Sequence, residues 1–120
     1  MTARSMLVVT AHPGDFVWRA GGAIALASSR GEHVVIACLS YGERGESARL
    51  WREGATLEQV KAARRSEGER AARILGADVR FFDAGDYPLI ETPEVLSRLV
   101  DLYREVQPSV VLTHGTAHPD

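Results

Sequence analysis

Ser5-Met6-Leu7-Val8-Val9-Thr10-Ala11-His12-Pro13-Gly14-Asp15 is the stretch on which the fold turns. Its first seven residues form a short, near-continuous apolar run, the pattern of a strand buried on both faces. A polar turn with proline and glycine follows at once. Three more runs of this kind occur at residues 33–40, 79–82 and 109–113. Helical patterns lie between them. Residues 21–30 are Ala-rich and stop at Gly31, and Thr56-Leu57-Glu58-Gln59 reads as a capping box. Behind that box Val60, Ala63, Ala71, Ile74 and Leu75 keep helical spacing up to Gly76. Thr92-Pro93 opens a last helix with Leu96, Leu99, Tyr103 and Val106 on one stripe, and Pro108 ends it. The order β-α-β-α-β-α-β predicts a Rossmann-like open α/β fold with a mainly parallel sheet and helices on both faces. Residues 42–54 are polar and rich in Gly, Glu and Arg, and are expected to form one long loop.

Composition sets the outer limits. The chain has 120 residues, which suits one domain. Hydrophobic residues make up 45% and charged residues 25%, which argues against disorder. With 14 basic and 16 acidic residues the formal net charge is −2, so no nucleic-acid footprint and no polybasic membrane patch is expected. The single cysteine, Cys38, allows no internal disulfide and no Cys-based zinc site. That usage fits a reducing, cytoplasmic setting. A homo-oligomer is left open.

In open parallel α/β sheets, ligands bind beyond the carboxyl ends of the strands. After the first run come His12 and Asp15, and after the second come Tyr41-Gly42-Glu43-Arg44-Gly45-Glu46. After the third come Asp83 and Asp86, and after the fourth His114 and then His118-Pro119-Asp120. Three of the four histidines therefore share one edge, and His33 lies at the opposite one. His12 and Asp15, three apart on a tight turn, can point at one cation, and mixed N/O ligation suits zinc or another divalent first-row metal. The plainer reading makes Asp15 a helix cap. Asp83 and Asp86 are placed to hydrogen-bond a ligand histidine or simply to shape a turn. Trp18 is a candidate pocket wall, and Gly21-Gly22 candidates for close packing at a helix start.

Ala11-His12-Pro13-Gly14-Asp15 with Gly21-Gly22 resembles the signature of the PIG-L/LmbE-like zinc-dependent de-N-acetylases, Ala-His-Pro-Asp-Asp-Glu followed by paired glycines. Ser40-Tyr41-Gly42-Glu43-Arg44-Gly45, Arg64-x-x-Glu67 with Leu75-Gly76, and Leu112-Thr113-His114 extend the resemblance along nearly the whole chain. It implies that His12 and Asp15 bind the metal. The third ligand is expected just past Asp120, with His114 or His118 as substitutes, so the chain is read as a single domain, 1–120, that is C-terminally incomplete. One departure bears on the reaction. The family's general base is the first aspartate of the motif, and Gly14 stands there.

The run from Ala11 through Gly22, with Tyr41-Gly42-Glu43-Arg44-Gly45-Glu46-Ser47, is similar to the metal-dependent 4-oxalomesaconate hydratase branch of that family. This implies water addition to the C=C of an unsaturated oxo-tricarboxylate, in gallate and protocatechuate catabolism. Such a reaction needs an acid/base group and a stabiliser of the developing enolate. Glu46 is the first candidate for the acid/base role, with Gly45 easing its approach, and Glu43 is the second. Arg44, then Arg64 and Arg19, are candidates to bind substrate carboxylates through the guanidinium fork. The alternative is a zinc-dependent deacetylase acting on an N-acetyl sugar or similar amide. A non-enzymatic nucleotide-binding module is disfavoured, because no G-x-G-x-x-G or Walker motif follows the first strand.

Overall fold

The computed structural model describes residues 4–115. His118, with Pro119 and Asp120, lies outside the described residues. Four strands form one sheet: β1 (Ser5–Thr10), β2 (His33–Cys38), β3 (Asp78–Phe81) and β4 (Val110–Thr113). Their order is β3-β2-β1-β4, and every neighbouring pair is parallel. The chain steps outward from β1 to β3, then crosses back to place β4 on the other side of β1. The crevice between β1 and β4 is therefore the switch point, where open α/β sheets bind ligands.

Strand alternation sorts side chains onto two cores. Val34, Ile36 and Cys38 of β2 pack with Val8, Phe16, Ile24 and Ala72 beneath α1 (Gly21–Ser29) and α3 (Leu57–Leu75). Val35 and Ala37 turn the other way, onto Leu7, Val95, Leu102 and Val106 beneath α4 (Pro93–Val106). Helices thus cover both faces, as the run pattern predicts.

The local start and stop signals act as read. Thr56 accepts the Gln59 backbone N–H at 3.2 Å, and Gln59 accepts the Thr56 N–H at 2.9 Å, closing the capping box. Gly76 ends α3 in the left-handed region at φ 81, where a side chain would add strain. Thr92 caps α4 with Pro93 at its first turn.

Three local expectations need correction. The polar segment 42–54 is not all loop: α2 (Ala48–Arg52) forms within it. The Trp51 indole N–H donates to the Glu43 carbonyl at 2.6 Å, a tertiary anchor that no apolar period announces. On α4 the inward stripe is Val95, Leu99, Leu102 and Val106, while Leu96 and Tyr103 face out; Ile74 on α3 is exposed too. Gly21 and Gly22 need no missing side chain. A Cβ at Gly21 would make ordinary contacts, and one at Gly22 would meet nothing within 4 Å.

Cys38 is fully buried at mid-core, and burial pushes its thiol up to about 12, against weaker lowering by hydrogen bonding with Thr10 and the Ser40 backbone. The thiolate is the reactive form. At pH 8 iodoacetamide should leave the native protein unmodified and alkylate it fully in denaturant, as read by mass spectrometry. Equal labelling rates in both states would contradict this burial.

Candidate active site

The turn after β1 is closed by its own acid. Asp15 Oδ2 accepts the His12 backbone N–H at 3.0 Å and lies 3.4 Å from His12 Nδ1. Asp15 opens a π-helical turn, Asp15–Arg19, but gives no side-chain cap; its carboxylate turns back to the histidine. The helix-cap reading of Asp15 is thereby corrected. Single π turns are frequent at functional sites.

The other imidazole nitrogen is held from β3's exit. His12 Nε2 lies 2.8 Å from Asp86 Oδ1. Asp86 is 4% exposed, and its Oδ2 accepts the backbone N–H groups of Arg44 (2.9 Å) and Gly45 (2.8 Å). Burial alone would raise the Asp86 carboxyl, but the Gly45 and Arg44 N–H groups and His12 outweigh it and hold it below the usual range. Burial likewise opposes charging of His12. The Asp86 hydrogen bond and charge, with Asp15 and Glu46, outweigh that and raise it. Asp83, the other candidate, forms an ion pair with Lys61 at 3.1 Å instead. Sequence alone placed both aspartates at this edge; only the fold separates them.

Glu46 reaches the same turn. Its Oε1 accepts the Gly14 backbone N–H at 3.2 Å. A Cβ built on Gly14 would fall onto Glu46 Oε2. A Cβ on Gly42, at φ 64, would lie 2.6 Å from Oε1. Two glycines therefore leave the volume that this carboxylate fills. Gly45 is constrained by something else, because its Cβ would lie 2.6 Å from the Tyr87 ring. Tyr87, which the sequence reading did not single out, sits near the site with its ring centroid 6.5 Å from that of His12.

The remaining candidates separate. Glu43 is buried and accepts the Tyr41 N–H at 2.9 Å, inside the loop. The Arg44 side chain is exposed, with its guanidinium 6.0 Å above the Trp51 ring. Arg19 is exposed, its Nε 3.7 Å from Asp15 Oδ1. Arg64 is only 17% exposed and lies against Glu46. Trp18 is 87% exposed and walls nothing in this structure. His114 accepts the Ala11 N–H at Nε2 (3.2 Å), and the same nitrogen is 3.5 Å from Asp15 Oδ2. A cavity of about 230 Å³ opens here, lined by Thr10, Asp15, Arg19, Thr113 and His114 in the β1–β4 crevice.

His12 Nδ1 and Asp15 are the pair that can hold a divalent ion, with Asp86 orienting the imidazole from behind as carboxylates do for ligand histidines. This borderline N/O donor set suits zinc or a similar ion. Among the described residues no group of three or more His, Cys, Asp or Glu is arranged to hold a metal. No helix among them is long and apolar enough to cross a membrane.

The class defined is a doubly wound parallel α/β protein with a histidine–carboxylate cluster at the carboxyl edge of its sheet. Residues 7–120 match PIG-L, the GlcNAc-PI de-N-acetylase family, and the chain belongs to that family. It is 57% identical over 117 residues to a 4-oxalmesaconate hydratase of Pseudomonas putida, covering 97% of this chain and 45% of that protein. The crystal structure of the 4-carboxy-2-hydroxymuconate hydratase of P. putida superposes with a TM-score of 0.92 over 97% of this chain and 49% of that one. A 1D-myo-inositol 2-acetamido-2-deoxy-alpha-D-glucopyranoside deacetylase of Rhodococcus erythropolis is 30% identical, over 99% of this chain and 49% of its own length. The N,N'-diacetylchitobiose deacetylase of Pyrococcus horikoshii superposes at TM-score 0.79 with 31% identity, over 91% and 40%. The chain spans about half the length of these relatives.

The Asp86 bridge makes a prediction for the full-length protein. Asp86→Asn should weaken divalent-metal retention by about 10–100-fold, the usual effect of removing such a partner. Competition with a chromogenic chelator reads it. Retention unchanged in this variant would remove Asp86's orienting role, and retention unchanged in His12→Ala would remove His12 from the donor set.

Proposed function

We propose that the protein is a metal-dependent hydratase, adding water across the C=C of an unsaturated oxo-tricarboxylate of the 4-oxalomesaconate type. The product would be 4-carboxy-4-hydroxy-2-oxoadipate, in bacterial breakdown of gallate and protocatechuate. The similarity to the P. putida hydratase, in sequence and in structure, supports this reading. The observation that carries it is Glu46, whose carboxylate fills the space that a side chain at position 14 would take.

Water addition breaks one O–H bond and the π bond of the C=C, and forms one C–O and one C–H bond. A base takes the water proton as its oxygen joins one alkene carbon, and an acid delivers a proton to the other. Glu46 can serve both needs in turn, as a positioned carboxylate does. His12 and Asp15 would hold a divalent ion, zinc or a first-row relative, whose Lewis acidity stabilises negative charge on a substrate oxygen. Arg19, beside the cavity, and Arg44, on the exposed loop, are the guanidinium groups open to substrate carboxylates. The cytoplasm is the compartment in which we place it.

The second reading is a zinc-dependent deacetylase of an N-acetyl sugar or similar amide. The deacetylase relatives near 30% identity favour it. Gly14 weighs against it, because the family's usual base is missing there.

Metal-loaded full-length protein should consume 4-oxalomesaconate, followed as loss of the conjugated enone absorbance. No loss, with acetate released from an N-acetyl sugar, would replace the first reading by the second. Glu46→Gln should keep the metal and lower kcat by about 10²–10⁴-fold. Gly14→Ala, which pushes the Glu46 carboxylate out of its seat, should lower kcat in the same direction without loss of metal. Full turnover in both variants would move the acid/base role elsewhere.

A further inference from the structure

Arg64 belongs to α3, and its guanidinium meets three acceptors, two on the loop after β2 and one on its own helix. Nε donates to the Tyr41 carbonyl at 3.3 Å, where the loop after β2 begins. One terminal nitrogen donates to Glu67 Oε2 at 2.8 Å, one helical turn along. The other donates to Glu46 Oε1 at 3.3 Å. The side chain is largely covered, and its planar fork fixes all three directions together.

Both donors that reach Glu46 land on one oxygen. Oε1 takes the Gly14 N–H and the Arg64 guanidinium. Among the described residues no hydrogen bond ends on Oε2, the oxygen that fills the side-chain space of Gly14 beside the His12 turn. A carboxylate with one oxygen pinned by a cation and a backbone donor presents the other as its free proton acceptor. A guanidinium so engaged has little of its fork left for a substrate carboxylate.

We propose that Arg64 is a positioning residue: it fixes the Glu46 carboxylate with Oε2 free and aimed at the reacting atoms, and does not bind substrate. This rests on the reading of Glu46 as the acid/base group. It replaces the expectation that Arg64 clamps substrate, and it explains why a largely covered arginine lies at the base of the loop.

The test is a kinetic cycle on the metal-loaded full-length enzyme: Arg64→Met, Glu46→Gln and the double variant, with 4-oxalomesaconate. Arg64→Met should lower kcat by up to about 100-fold, the scale of loss from misplacing a reacting group. KM should change less than twofold. The double variant should be no slower than Glu46→Gln alone, because Arg64 acts only through Glu46. Arg64→Lys, which keeps the charge but cannot span three acceptors, should recover part of kcat; it also serves if Arg64→Met does not fold. A raised KM with kcat intact would overturn the proposal in favour of a substrate clamp. Independent, multiplying losses in the double variant, or a lowered melting temperature with both constants unchanged, would overturn it too. Full activity in Glu46→Gln would instead bring down the underlying reading, an outcome visible before Arg64 is touched.

Discussion

The buried carboxylate of Asp86 is the point on which the site depends. It stands on the loop after β3, takes two backbone N–H groups from the loop after β2, and holds His12 from the loop after β1. Backbone bonds such as Ser40 N–H to Ala11 and Ala84 N–H to Leu39 carry the sheet's pairing a little past the strand ends, and beyond them the three segments are tied to this one group. Hydrogen bonds to a charged acceptor contribute about 1.5–3 kcal/mol each, well above the neutral kind. A neutral replacement would leave these donors facing a poorer acceptor in a place water barely reaches. The parallel sheet delivers the loops to one edge, and Asp86 sets their separation.

That separation makes room for Glu46. The loop after β2 is anchored at its start by Ser40, whose hydroxyl donates to the Ala11 carbonyl at 2.7 Å, and by Glu43, which accepts the Tyr41 N–H. Ser47 then donates to the Gly42 carbonyl at 2.8 Å and tightens the bend around Glu46. With Gly42 in the left-handed region, the bend turns the Glu46 side chain inward over Gly14. The two glycines act as a matched pair: one shapes the backbone that brings the carboxylate, the other leaves the volume that receives it.

Much of this architecture was readable from residue order. Four apolar runs separated by helical patterns were enough for the sheet, since a strand covered on both faces admits little else. The Thr56 capping box and Thr92-Pro93 marked helix starts because those hydrogen bonds are local. The edge rule collects His12, Asp15, Glu46, Asp86 and His114 from strand order alone. What stayed hidden depended on contacts distant in sequence. Asp83 and Asp86 have the same type and nearly the same address, and only the approach of the Arg44–Gly45 backbone distinguishes them. The short helix Ala48–Arg52 follows from an indole reaching a carbonyl, and the inner stripe of α4 from where the sheet surface lies.

The glycine at position 14 shows why position and chemistry must be weighed together. In a turn motif an aspartate there would place a carboxylate beside the donor pair from the motif's own backbone. Glycine removes that group and opens its volume, and a carboxylate from a different loop enters it. On the proposed reading the proton acceptor then arrives on a side chain from 32 residues away, held by a backbone N–H and a guanidinium instead of by its own turn. Its approach is changed even where its location is kept. Hydrolysis of an amide asks the carboxylate to return its proton to a nitrogen leaving group. Addition to an alkene asks for that proton on a carbon of the substrate. A carboxylate re-aimed from the second loop, with one oxygen held and the other open, is a means by which one scaffold can pass from the first demand to the second without moving its histidine–aspartate pair.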